Sequence, residues 1–325
     1  MPQKKSLPRT EQDTEEGGSM KPEDKLEDGL EDKIDEMVAR KGVTRRDFMK
    51  FCGLMAATLG LEASFIPKIA QAIATAPRPP IVWLQFAECT GCTEALLRTA
   101  DPFIDDLLLE KVSAEYHETL MAAAGDAATA CLDSAVSKYA GQFLCFVEGA
   151  IPTANGGIYG MIGGKTMLQV AREVLPKAKK VISVGTCASY GGLPAAAGGL
   201  TGAKGVKDAT GISTINLPGC PPNAVNIAAL IVNYLLNNQM PRTDRDGRPL
   251  FAYANKVHSQ CPRRGTNWCL KGFGCKGPLA AHNCPSVKYN GGTSWCVQSD
   301  APCKNCTTPG FWDNSAPFFD YSGSY

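Results

Sequence analysis

Residues able to bind a metal cluster fall into two groups. Cys89, Cys92, Cys187 and Cys220 are far apart in the chain, yet each sits just past the end of a segment that reads as a buried strand. The lead-in segments are Ile81–Phe86, Val181–Gly185 and Thr214–Gly219, short apolar runs rich in β-branched residues and closed by a turn residue. In open α/β sheets, ligands collect in the crevice outside the carboxyl ends of the strands. Cys-Thr-Gly-Cys, Gly-Thr-Cys and Pro-Gly-Cys-Pro-Pro therefore place four sulfurs on one sheet edge. The second group reads His258-x-x-Cys261, Cys269 and Cys275, then Cys284, Cys296 and Cys303-x-x-Cys306. Close pairs put two donors on one turn and a second pair completes a four-coordinate site, so eight donors make two sites. Zinc would satisfy the same count in this region. Four ligands from three separate βα loops, as in the first group, suit a buried cuboidal cluster better than a local zinc knuckle.

The elements that must position these residues divide the chain. From Pro79 to Met240 strands and helices alternate: helix from Thr93 to Ala100, strand from Val112 to His117, helices near 119–124 and 127–138, strand from Gln142 to Val147, then helices over 166–174 and 223–237. This alternation predicts an α/β fold, a doubly wound parallel sheet with helices on both faces, over 79–241. Right-handed crossovers keep the cysteine-bearing loops at one end. From Arg242 to Tyr325 the chain is dense in Gly, Pro, Asn and Cys and has almost no periodic segment. Such a stretch cannot fold on side-chain packing alone and needs staples, for which its cysteines are the candidates.

The net charge of +1 over 325 residues gives no electrostatic case for nucleic acid. Residues 1–40 are charged and poor in apolar side chains, which predicts disorder. Thr44-Arg45-Arg46-Asp47-Phe48 follows, then an apolar run from Phe51 to Leu61 and small-residue sites at Ala70-Gln71-Ala72 and Ala74-Thr75-Ala76. This pattern predicts a twin-arginine export signal over the 1–76 leader, with cleavage near 72 or 76 and a periplasmic destination. No apolar run reaches the roughly 20 residues of a membrane span, so the chain is expected to reach a membrane through a partner if at all. Fourteen cysteines in an exported protein raise a disulfide framework as the plain alternative. The twin-arginine route argues against it, since its cargo folds and loads cofactors in the reducing cytoplasm.

Glu88-Cys89-Thr90-Gly91-Cys92-Thr93-Glu94, Gly185-Thr186-Cys187-Ala188-Ser189-Tyr190-Gly191-Gly192, Leu217-Pro218-Gly219-Cys220-Pro221-Pro222-Asn223, Trp268-Cys269-Leu270 and Gly274-Cys275-Lys276-Gly277-Pro278 together resemble the small subunit of nickel-iron hydrogenases. The resemblance runs from the twin arginines almost to the C-terminus. It implies a flavodoxin-like domain carrying a proximal 4Fe-4S cluster on Cys89, Cys92, Cys187 and Cys220, followed by an irregular iron-sulfur domain over 242–325. There it implies a distal 4Fe-4S cluster on His258, Cys261, Cys269 and Cys275, and a medial cluster on Cys284, Cys303 and Cys306. It also implies a large-subunit partner that splits hydrogen at a nickel-iron centre, and a redox acceptor such as a cytochrome or a membrane quinone-linked subunit. This chain itself would carry no catalytic residue.

Three departures from the family pattern matter. Cys296 stands where the family has proline, and a thiol there can complete a 4Fe-4S medial cluster in place of 3Fe-4S, as in the nickel-iron-selenium branch. Gly91 and Gly192 occupy positions where oxygen-tolerant relatives carry extra cysteines, so the proximal cluster is expected to be an ordinary four-thiolate one. Seven residues separate Cys261 from Cys269, a shorter loop than is usual, so the surface over the distal cluster must differ. Cys131 and Cys145 read as packing residues, His117 and His282 as hydrogen-bonding residues rather than ligands, Glu88 as a salt bridge or cap in preference to a proton relay near the proximal site, and the aromatic tail from Phe311 as core or as a contact between subunits. Two other classes remain at this stage: a quinone-reductase subunit related to complex I, and an exported structural protein held by zinc or disulfides.

Overall fold

A computed structural model describes residues 22–40, 43–97 and 112–314. Its centre is a five-stranded sheet built from β1 (Pro80–Gln85), β2 (Ser113–His117), β3 (Leu144–Glu148), β4 (Lys180–Val184) and β5 (Ile215–Leu217), in the order β2-β1-β3-β4-β5. Every pairing in this sheet is parallel. That order is the flavodoxin-like variant of the doubly wound fold. Side chains alternate between the faces: Val82, Leu84, Cys145 and Val147 pack on one side, Ile81, Trp83, Leu144 and Phe146 on the other. Helices cover both sides, which is why the strands read as continuous apolar runs.

The helices are α1 (Pro22–Arg40), α2 (Arg45–Leu59), α3 (Ile66–Thr75), α4 (Gly91–Leu97), α5 (Gly125–Lys138), α6 (Met167–Val174), α7 (Gly185–Tyr190) and α8 (Ala224–Asn237). The end of the helix expected over 93–100 lies, from 98 onward, outside the described residues. Thr166 and Gln169 start α6 with a reciprocal capping box, and Asn223 caps α8 through the Val225 N–H. The helix expected near 119–124 does not form; Thr119 is tied instead to Gln85, with both its N–H (3.1 Å) and its hydroxyl (2.7 Å) donating to Oε1. A β2-side turn anchored to a neighbouring strand has displaced the local helix preference.

The leader differs from the expectation of disorder. Over Pro22–Arg40 it forms α1, because Leu30, Ile34, Met37 and Val38 make a sparse apolar stripe at helical spacing within a charged sequence. The part of that expectation covering residues 1–21 lies outside the described residues. Thr44 caps α2 by accepting the Asp47 N–H, and Gly60, at φ 69°, closes it. Phe48, Phe51, Met55, Ile69 and Ile73 are fully buried and join the core on the α8 side of the sheet. Arg45 pairs with Glu31 at 2.6 Å and Asp35 at 3.8 Å, tying α2 to α1 at the surface. Among the described residues, no helix is long and apolar enough to cross a membrane.

Beyond Arg242 the described chain is a succession of turns and helices of four residues, among them Val257–Gln260 and Cys284–Val287. Its own apolar cluster holds Val257, Cys261, Ala280, Trp295, Val297 and Cys303. Polar ties hold it together and fasten it to the sheet domain. Within it, Arg248, buried between Asp244 (2.7 Å) and Asp246 (3.1 Å), donates to the Thr307 carbonyl; across to the sheet domain, the Tyr253 hydroxyl donates to the Pro218 carbonyl at 2.8 Å.

Candidate metal-cluster sites

The carboxyl ends of β1, β4 and β5 deliver Cys89 and Cys92, Cys187, and Cys220 to one place. The Cys92 thiol is within electrostatic reach of those of Cys187, Cys220 and Cys89, Cys187 is within reach of Cys89, and Cys220 is within reach of Cys187 and Cys89. All six pairs of this set are therefore neighbours. Burial pushes Cys92 well above the ordinary thiol range, with Glu148 and the other sulfurs adding to it, and pushes Cys187 up to about 11. Two backbone positions make room for the sulfurs. A side chain at Gly185 (φ 88°) would come within 2.5 Å of Cys92 Sγ, and one at Gly192 (φ 53°) within 2.6 Å of Cys187 Sγ.

A second convergence lies in the C-terminal segment. The Cys284 thiol is within reach of Cys306, Cys303 and Cys296; Cys303 of Cys306 and Cys296; Cys306 of Cys296. Here too all six pairs are neighbours, and burial raises Cys303 to about 12 and Cys306 to about 11. His258, Cys261, Cys269 and Cys275 lie on successive turns. The Cys261 N–H donates to the His258 carbonyl, Cys269 opens the turn Leu270–Phe273, and a side chain at Gly277 would stand 3.5 Å from Cys275 Sγ and 3.6 Å from His258 Cβ.

The three sets are joined in sequence. The Cys220 and Cys306 thiols are within electrostatic reach of each other, and the Thr186 hydroxyl donates to the Cys306 carbonyl while accepting the Gly219 N–H at 3.0 Å. The Cys303 N–H donates to Cys275 Sγ at 3.3 Å. The first set thus touches the second, and the second touches the third.

The donor sets fit iron-sulfur clusters. All fourteen cysteines are free thiols, with none paired in a disulfide. Among the described residues no three His, Cys, Asp or Glu side chains close on a point that could hold a single ion. A cuboidal cluster asks for a more open set, since each thiolate binds a different iron. Thiols raised by burial and by each other stay protonated near neutrality, so positively charged iron must displace their protons, which pass to solvent as the thiolates bind.

Residues 89–234 match the family described as NADH ubiquinone oxidoreductase, 20 Kd subunit, and residues 253–319 match the C-terminal family of the NiFe/NiFeSe hydrogenase small subunit. The periplasmic [NiFe] hydrogenase small subunit 1 of Nitratidesulfovibrio vulgaris is 46% identical over 306 residues, covering 88% of this chain and 96% of that protein. The quinone-reactive Ni/Fe-hydrogenase small chain of Wolinella succinogenes is 40% identical over 301 residues, 87% of this chain and 85% of its own. The chain belongs to the nickel-iron hydrogenase small-subunit family. The Ni-Fe-Se hydrogenase of Desulfomicrobium baculatum, in a reduced, active form, superposes on this small subunit with a TM-score of 0.69 at 36% identity, over 75% of this chain and 99% of that one. Small subunits of this family carry iron-sulfur clusters, transfer electrons and pair with a large subunit in a hydrogenase heterodimer. The match of 89–234 to the complex I protein reflects the shared sheet domain; the C-terminal match separates the two families.

Two residues of the small subunit escaped sequence reasoning. Glu148, at the end of β3 and 1% exposed, accepts from the Cys92 N–H (2.9 Å), the Thr93 N–H (3.2 Å), the Thr93 hydroxyl (2.5 Å) and the Trp83 indole N–H (3.2 Å). Its carboxylate sits at the start of α4 and fixes the Cys-Thr-Gly-Cys turn. The signal for it was a lone acidic residue closing an otherwise apolar strand, Leu144-Cys145-Phe146-Val147-Glu148. His282 was expected to hydrogen-bond, but its partner was not foreseen: Nδ1 lies 2.8 Å from Cys284 Sγ. Asn226 and Asn283 exchange amide hydrogen bonds of 2.9 and 3.0 Å, which leaves an Asn226 N–H for His282 Nε2 at 3.3 Å. That places the imidazole proton on Nδ1, aimed at the sulfur. Burial lowers His282 to about 3, so it donates as a neutral ring.

His117 stacks on Trp83 at 5.2 Å and approaches the Thr93 hydroxyl at 3.5 Å, behind the cysteine turn. Among the described residues Glu88 forms neither a salt bridge nor a helix cap: it accepts the Thr90 hydroxyl at 3.2 Å, its Oε2 is buried with no partner among them, and burial followed by Glu148 raises it to about 7. Cys145 is buried within β3, Cys131 is half-buried in α5, and Phe311 is buried. The part of the aromatic tail from 315 onward lies outside the described residues.

Proposed function

We propose that this small subunit holds three iron-sulfur clusters in a line and passes electrons between a nickel-iron centre in the large subunit and an external acceptor. The proximal cluster is held by Cys89, Cys92, Cys187 and Cys220, the medial by Cys284, Cys296, Cys303 and Cys306, and the distal by His258, Cys261, Cys269 and Cys275. Bound iron-sulfur clusters supply reversible one-electron transfer, at a potential set by cluster type, charge and hydrogen bonds to sulfur. The chain's own residues hold, order and tune them. The observation that carries this reading is a pair of hydrogen-bonded links, Gly219 N–H through the Thr186 hydroxyl to the Cys306 carbonyl and Cys303 N–H to Cys275 Sγ, which string the donor sets together. The Cys296 thiol lies within electrostatic reach of Cys284, Cys303 and Cys306, which supports a 4Fe-4S medial cluster. Glycine at 91 and 192 supports a proximal cluster without additional thiolates.

The twin arginines and the small-residue motifs of the leader support export of the folded protein to the periplasm, where its relatives' names place them. Cleavage near 72 or 76 would leave the sheet domain over 79–241 and the cluster domain over 242–325. The relay is tested by Cys269→Ser in the purified heterodimer. Hydrogen–deuterium exchange catalysed by the large subunit should persist, while hydrogen-driven reduction of a protein acceptor should fall at least about tenfold, the lower end for a lost metal-site partner. Loss of both activities together, or of neither, would contradict a relay ending at that set.

A further inference from the structure

The stretch carrying the proposed distal set has an unusual charge. From Gly247 to Ser299 the chain has seven arginines and lysines and no aspartate or glutamate. The whole chain carries +1, so everything outside this stretch sums to −6. Arg248 and Arg263 are neutralised locally, by Asp244 and Asp246 and by Asp300 at 2.6 Å. Arg264 and Lys271 are exposed and form no ion pair with a described residue. They bracket Cys269 on the turns that present it. Two aromatic side chains stand among them: Trp268, next to Cys269, and Phe273, each 75% exposed.

Nothing among the described residues covers these two rings. Exposed large aromatics beside cations are the composition of a binding hot spot, whose apolar centre is closed off by a charged rim. We propose that Arg264, Trp268, Lys271 and Phe273 form the docking face for the electron acceptor, a redox protein with an acidic rim around its own centre. The proposal rests on the reading that Cys269 belongs to the terminal cluster of the relay. Opposite charges would steer the acceptor onto this face, and the aromatic pair would hold it within reach of the distal sulfurs. The short loop between Cys261 and Cys269 leaves no insertion to cover the face.

The test uses the purified heterodimer and one haem protein in two charge states: a lysine-rich c-type cytochrome, and the same cytochrome with its lysines succinylated to make it acidic. At low ionic strength hydrogen should reduce the acidic form faster, by about tenfold or more given the range of electrostatic steering, and the advantage should shrink as salt screens it. Arg264→Glu with Lys271→Glu should reverse the order, and Trp268→Ala should slow the acidic form at every salt concentration. Faster reduction of the lysine-rich form, or equal rates without salt dependence, overturns the proposal. So does a flat cytochrome ranking combined with charge-dependent sedimentation on phosphatidylglycerol vesicles, which would make the face a membrane dock. Cys269→Ser separates the two levels. If that variant reduces both cytochromes at the parent rate, the distal assignment itself fails; if it is slow while the parent shows no charge preference, the docking face alone fails.

Discussion

Around the sheet, nineteen buried apolar side chains pack on the α5 and α6 face, and the opposite face, with α8 and the leader helices, holds thirty-one. Between Arg242 and Asn314 the described chain buries ten apolar side chains, of which Ala252 and Tyr253 join the sheet-side core and six form a separate cluster, two of them cysteines proposed as ligands. At about 1.5–3 kcal/mol for each fully buried side chain, ten cannot offset ordering that costs about 1–2 kcal/mol per residue over this segment. The sheet domain can hold its shape by packing alone, whereas the segment after Arg242 needs further staples, which the proposed clusters would supply beside a few polar ties such as Arg248 to Thr307. The same contrast explains how function is divided. In the proposed relay, the sheet edge would present the proximal thiols to the large subunit, and the cluster-stapled segment would extend the electron path outward.

Removing iron should break the comparison most sharply. In iron-depleted protein, hydrogen exchange is expected to lose protection throughout 242–314 while β1, β3 and β4 keep theirs; equal loss in both regions would refute the contrast. Next in size, Glu148→Ala strips the Cys-Thr-Gly-Cys turn of its acceptor and should lower proximal-cluster occupancy by about 10- to 100-fold, as loss of an outer-sphere partner typically does. Glu148→Gln keeps one carbonyl acceptor and should retain much of the cluster, which iron analysis and paramagnetic resonance would read. Cys296→Pro should convert the medial cluster to a 3Fe form of raised potential without unfolding the domain; an unchanged cluster type would remove Cys296 from the ligand set.

His282→Ala is a smaller change. Loss of its N–H···S bond should lower the medial potential, since that bond favours the more negatively charged reduced cluster, and a redox titration would show it. The smallest effect lies in the sheet domain. Burial lowers His117 from 6.5 to about 4. The unfolded chain therefore binds a proton that the folded chain refuses between those values, so stability is full above about pH 6.5 and falls as pH drops toward 4. His117→Phe should flatten that part of a denaturation profile, and an unaltered slope would argue against a neutral buried imidazole.

The sheet and its cysteine loops were legible because each strand is buried on both faces and ends at a turn whose residues are distinctive, as in Val181–Gly185 before Cys187. The proposed ligand sets come from spacing and family resemblance, since their members are chemically conspicuous. The α1 helix was obscured because its stripe of four apolar residues is diluted by charge, and it is stabilised by a surface supplied from elsewhere in the fold. Glu148 and His282 were hidden for another reason. Their roles come from contacts with Cys92 and Asn226, 56 residues away in each case, and no local pattern encodes such pairs.

The most direct test of the relay is Mössbauer spectroscopy of the iron-57-labelled, oxidised heterodimer. Three 4Fe-4S clusters in the small subunit, one with the signature of a mixed histidine and thiolate ligand set, are the expected result. A 3Fe-4S component would exclude Cys296 as a ligand, and zinc in place of iron in the segment after Arg242 would contradict the relay itself.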